Sequence, residues 1–169
     1  MRIILPVLAC AAAFALAACS QSEAPEQPQA AAEQAPAVQP VPADKTDKTA
    51  WKQYLASVVM ANMDGVKTTR PYMYFVPGGD DEAAQTDRAN QLDNVSTVVA
   101  RGVLPGNMMA FGGPDSKMTA DLIVGAFADA QPGSLKDVRV LYIGDQADVE
   151  TVKTAVAPSG ADLKFVEMK

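Results

Sequence analysis

The chain has 169 residues, with 14 Lys and Arg against 20 Asp and Glu, for a net charge of −6 at pH 7. It has no histidine, and its two cysteines are Cys10 and Cys19; Ser-His-Asp and Cys-His nucleophile systems and His/Cys zinc sites are therefore excluded. The acidic balance argues against nucleic acid as a partner, because phosphate backbones are held by Lys and Arg.

Arg2 is followed by an uncharged stretch from Ile3 through Ala18 that is rich in alanine and contains Pro6. The stretch suits a secretory h-region and is short for a membrane span, which needs about 20 apolar residues. It ends in Leu16-Ala17-Ala18-Cys19-Ser20, which resembles the lipobox of bacterial lipoproteins. The resemblance covers only these first twenty residues. It implies a signal peptide over residues 1–18, cleavage before Cys19, and acylation of Cys19 on its thiol and new α-amine. The implied partner is the lipid bilayer. One acyl chain anchors weakly, at about 0.8 kcal/mol per buried methylene, so several chains make the anchor effectively permanent. Ser20 stands where some envelope systems place an inner-membrane retention Asp, so the implied address is the outer membrane, facing the periplasm. Loss of Arg2 with the signal leaves 13 basic against 20 acidic residues, a net charge of −7.

Gln21 to Pro42 is rich in Ala, Gln, Pro and Glu, with prolines at 25, 28, 36, 40 and 42. Such composition buries too little apolar surface to offset the entropy of ordering, so residues 19–45 read as a disordered linker behind the anchor. At about 3.1 Å per residue a linker of this kind reaches roughly 75 Å when fully extended.

From Thr46 the pattern becomes globular. Trp51, Tyr54, Leu55, Val58 and Val59 fall on one helical face, with Asp47 as N-cap and a stop at Asp64-Gly65. Tyr72 to Val76 is a wholly apolar run between Pro71 and Pro77, which predicts a strand buried on both faces. A second helix is expected from Asp80 to Arg101, with an acidic first turn and a stripe of Leu92, Val95, Val98 and Val99. Met108 to Phe111 predicts a second strand, Ser116 to Ala130 a third helix, Val138 to Ile143 a third strand, and Val149, Val152 and Val156 a short fourth helix. Asp162 to Lys169 mixes apolar and charged residues, which predicts an edge strand whose charges block pairing with another chain.

Helices alternating with apolar strands predict parallel crossovers, hence an α/β fold over residues 46–169: a small three-layer sandwich with a mostly parallel four-stranded sheet and about four helices. A strand order of 2-1-3-4 would give the sheet a point of reversal at which a ligand crevice could open.

Three strands end in similar words: Val76-Pro77-Gly78-Gly79-Asp80-Asp81, Gly112-Gly113-Pro114-Asp115-Ser116 and Ile143-Gly144-Asp145. The simplest reading is that the glycines form tight turns and the aspartates cap the helices that follow. A phosphate site fits worse. The loops match neither Gly-x-Gly-x-x-Gly nor a Walker loop, carboxylates already stand at the helix starts, and Lys117 is the nearby cation. A divalent-cation site built from Asp80, Asp81, Asp115 and Asp145 is the third reading, since hard cations take several carboxylate oxygens. Ser116, with no histidine to activate it, reads as a helix-start residue rather than a nucleophile. Methionines 60, 63, 73, 108, 109 and 118 could line an adaptable groove but read more simply as core.

Two function classes follow. The first is a membrane-anchored envelope lipoprotein whose domain is a non-enzymatic binding module, without catalytic residues or a cofactor, that engages an envelope protein. The alternative is a metal-assisted hydrolase working at the Asp-bearing loops.

Overall fold

A computed structural model describes residues 37–169; Cys19, the expected signal peptide and most of the expected linker lie outside the described residues. No helix among the described residues is long and apolar enough to cross a membrane.

The first helix, α1 (Lys48–Ala61), starts where the Asp47 carboxylate accepts the N–H groups of Thr49 and Ala50, at 3.0 and 2.9 Å. Such a cap contributes about 1 kcal/mol. The helix buries Trp51, Tyr54, Leu55, Val58 and Val59, the face expected from their spacing. Packed structure also extends before Thr46. Val41 leans on the α1 core, the Gln39 N–H meets Ser57 Oγ at 3.0 Å, and the Trp51 indole N–H donates to the Asp44 carbonyl at 3.0 Å.

Four strands then alternate with three crossovers: β1 (Tyr72–Phe75), α2 (Glu82–Arg101), β2 (Met108–Gly112), α3 (Ser116–Phe127), β3 (Arg139–Gly144), α4 (Val149–Val156) and β4 (Asp162–Glu167). All neighbouring strands pair in parallel, and the molecule is the expected three-layer α/β sandwich. The strand order is β1-β2-β3-β4, not 2-1-3-4. Each crossover moves one strand in the same direction, so α2, α3 and α4 all fall on one face. There they pack with Met109, Phe111, Val140 and Tyr142. The other face carries α1 alone, packed on Met108, Ala110, Leu141 and Ile143. Alternate residues of β2 and β3 therefore feed two separate cores, and these strands are buried on both faces as their unbroken apolar runs require.

β1 corrects the expectation. The order makes it an edge strand, with Tyr72 and Met73 exposed and Tyr74 and Phe75 half-buried. β4 is the opposite edge, as its charges suggested. The methionines divide in the same way: Met108 and Met109 are fully buried, whereas Met60 and Met73 are exposed.

Arg139 ties the amino-terminal edge of the sheet together. Its guanidinium meets Asp162 of β4 at 3.3 Å and donates to the carbonyls of Asn62 and Asp64, just past α1, at 3.2 and 2.6 Å. α1 thus runs antiparallel to the strands, with its start beside their carboxyl-terminal ends.

Candidate functional site

The three Asp-bearing loops emerge together at the carboxyl-terminal edge, and close packing accounts for their glycines. A Cβ at Gly113 would overlap the Val76 carbonyl, and one at Gly144 would overlap the Tyr142 hydroxyl and come within 2.8 Å of Ser116 Oγ. Gly113 lets the ends of β1 and β2 touch and Gly144 leaves room for the Tyr142 hydroxyl and Ser116, so neither needs an approaching phosphate to explain it. Arg88 of α2 braces the first loop by donating to the carbonyls of Pro77 and Gly79, at 2.9 and 2.7 Å.

Two of the four candidate aspartates cap helices. Asp81 Oδ1 accepts the Ala84 N–H and Asp115 Oδ1 accepts the Met118 N–H, each at 2.9 Å. Asp80 is exposed and contributes its backbone carbonyl, which accepts from the Gln85 amide at 2.7 Å. Asp145 makes no side-chain cap; its backbone N–H donates to Ser116 Oγ at 2.7 Å. No group of three or more acidic side chains among the described residues converges as a metal ligand set. The fold brings the candidates together only in pairs. Asp115 and Asp145 border one hollow of about 430 Å³, and Asp81 and Asp115 border its neighbour of about 300 Å³. Asp80 lines neither.

These hollows are not a switch-point crevice, because the strand order never reverses. Their far wall is the segment leading into α1, which places Lys45 beside both and Lys48 beside the smaller. A larger hollow of about 550 Å³ lies at the opposite edge of the sheet, around Lys67, Asp137, Arg139 and Asp162, whose opposite charges largely offset one another.

Ser116 is the centre of a buried polar knot. Its Oγ lies 2.6 Å from the Tyr142 hydroxyl and 2.5 Å from Asp148 Oδ2, besides the bond from the Asp145 N–H. One assignment of protons satisfies every group: Ser116 donates to the Asp148 carboxylate and accepts from both Tyr142 and the Asp145 backbone. Burial, offset in part by the Ser116 bond and reinforced by the charges of Asp148 and Asp145, pushes the Tyr142 phenol up to about 12, so at neutral pH it stays a donor. The hydroxyl of Ser116 is fully engaged and buried, as a structural tie between the start of α3 and the end of β3. Lys117, the one cation beside these loops in the sequence, turns outward to Asp121 at 2.5 Å, and that bond raises its pKa.

Asp148 and Arg88 were missed from the sequence. Asp148 lies 32 positions from Ser116, and Arg88 sits in an ordinary polar helix, so neither carries a local signal. No protein-family model, curated protein or solved structure matches this chain.

Proposed function

We propose that this chain is a membrane-anchored envelope lipoprotein, acylated at Cys19, held on the outer membrane and facing the periplasm. Its α/β domain serves there as a non-enzymatic binding module for another envelope protein. One observation supports this reading above the hydrolase alternative: apart from the exposed carboxylates of Asp80 and Asp145, the polar side chains at the carboxyl-terminal edge are spent on the fold. Asp81 and Asp115 cap helices, Ser116, Tyr142 and Asp148 satisfy one another, and Lys117 pairs with Asp121. A reaction centre needs groups free to act on a substrate.

Labelling of the full chain with radioactive palmitate tests the anchor. Label should enter the wild type and be lost in Cys19→Ala, which should leave the membrane fraction; equal labelling of both would refute the anchor. For the domain, Ser116→Ala should cost about 1–3 kcal/mol of stability by orphaning buried polar groups. The hydrolase alternative instead predicts that millimolar Mg²⁺ raises the melting temperature, and that replacing the four aspartates by Asn abolishes the rise.

A further inference from the structure

The outer side of β1 is an open backbone edge with a defined pattern. In a parallel ladder, alternate residues of an edge strand direct both N–H and C=O groups to the neighbouring strand. The Val76 N–H donates to the Gly112 carbonyl at 2.8 Å. Tyr72 and Tyr74 share the parity of Val76 and face β2, so the N–H and C=O groups of Met73 and Phe75 point away from the sheet. The strand carries no charge, and Tyr72 and Met73 are 43% and 40% exposed. Pro71 and Pro77, which have no N–H to offer, bracket the open stretch.

We propose that β1 pairs antiparallel with β1 of a second copy of this chain, about a two-fold axis at Tyr74, to form one continuous eight-stranded sheet. The pattern is self-complementary. The outward groups at Met73 and Phe75 lie symmetrically about Tyr74, so a copy turned end for end sets Met73 opposite Phe75 twice and closes all four hydrogen bonds. Met73 and Phe75 share the α1 face, since they pair in register with Ala110 and Gly112, and they form two sulfur–aromatic cross-strand pairs. Tyr74 meets its own copy on the other face.

The charges around the edge permit this arrangement. Lys48 is already paired with Asp87 at 3.2 Å, and Lys52 lies over the Phe75 ring, 5.9 Å from its centroid. Phe75 sits opposite Met73 of the copy and not opposite its own counterpart, so the two Lys52 side chains are offset along the strand pair. The assembly also closes. Its outer edges are the two β4 strands, where Asp162, Lys164 and Glu167 oppose further addition. A two-fold pair consumes both apolar edges and leaves none for growth.

The inference rests on the fold and is independent of the anchor, so a failed labelling experiment leaves it standing. It is tested on the fragment Gln34–Lys169, which contains both cores and no cysteine. Sedimentation across micromolar to millimolar concentrations should show a monomer–dimer equilibrium. Met73→Lys and Met73→Pro should each weaken the dimer at least about tenfold, near 1.4 kcal/mol, with circular dichroism unchanged. Met73→Pro removes an outward N–H together with the Met73 thioether and no backbone bond to β2, and Met73→Lys keeps the outcome interpretable if the proline perturbs the strand. Tyr74→Cys should oxidise to a disulfide-linked dimer, whereas Glu167→Cys on β4 should not. A monomer at every concentration, a dimer that survives Met73→Lys, or a β1 edge that binds only foreign extended peptides would each overturn the proposal.

Discussion

β1 and β4 end the same sheet by different means. β4 pairs with β3 over six residues, Asp162 to Glu167, and mixes charged with apolar side chains; its Asp162 is held by Arg139 and its Glu167 lies beside Lys169. β1 pairs over four residues, Tyr72 to Phe75, and has no charge at all. Each edge sends one aromatic ring onto its inner neighbour. Tyr74 stacks on Phe111 with centroids 4.9 Å apart, and Phe165 on Tyr142 at 5.8 Å. The stacking rings show that either strand can hold its place by packing on one side. The difference lies in the outer side: β4 turns salt and solvent outward, while β1 leaves an apolar template. Apolarity alone does not mark a strand as central.

The strongest way to break this comparison is to loosen β1 from β2. Gly113→Ala drives a methyl into the Val76 carbonyl at the end of β1. It should cost about 3 kcal/mol, read by urea unfolding, with the loss of amide protection concentrated in β1. A cost below 1 kcal/mol would mean that the two strand ends are not in contact. Next comes the pair Phe165→Ala and Phe75→Ala. Phe165 packs into the larger core through Tyr142, and its truncation should cost about 2–3 kcal/mol. Phe75, half-buried with Lys52 over its ring, should cost about 1–2 kcal/mol. A reversed order would show that β1 is the better anchored edge.

A further effect is alkaline. Burial lifts the Tyr74 phenol to about 12, with help from Tyr72, and lifts Tyr142 to about 12 as well. Both values lie above the ordinary value of 10, so the unfolded chain releases these protons first. Their contribution to stability is intact below pH 10 and is lost as the pH rises towards 12. Denaturant midpoints should fall across that window. Tyr74→Phe and Tyr142→Phe should each flatten the fall; an unchanged slope in both would mean that neither hydroxyl is shielded from water in the folded state.

Much of the fold was legible because its signals are local. The spacing of Trp51, Tyr54, Leu55 and Val58 marks a helix face, and Asp47, Asp81 and Asp115 each cap the helix that follows them. The charges of β4 identified it as an edge. The site was legible only in part. The caps at Asp81 and Asp115 were read correctly, whereas Asp145 makes no side-chain cap. The polar knot was not legible, because Ser116, Tyr142 and Asp148 come from three elements and meet only when α3 docks on β3.

The sequence by itself determined the elements, their parallel alternation and the absence of histidine chemistry, since helix periodicity, capping and composition act over a few residues or none. Strand order was decided by the tertiary structure. An apolar run such as Tyr72 to Val76 gains from burial wherever it finds apolar neighbours, and nothing within it states how many sides will be covered. That depends on the crossovers, which carry α2, α3 and α4 to a single face and leave β1 with one neighbour.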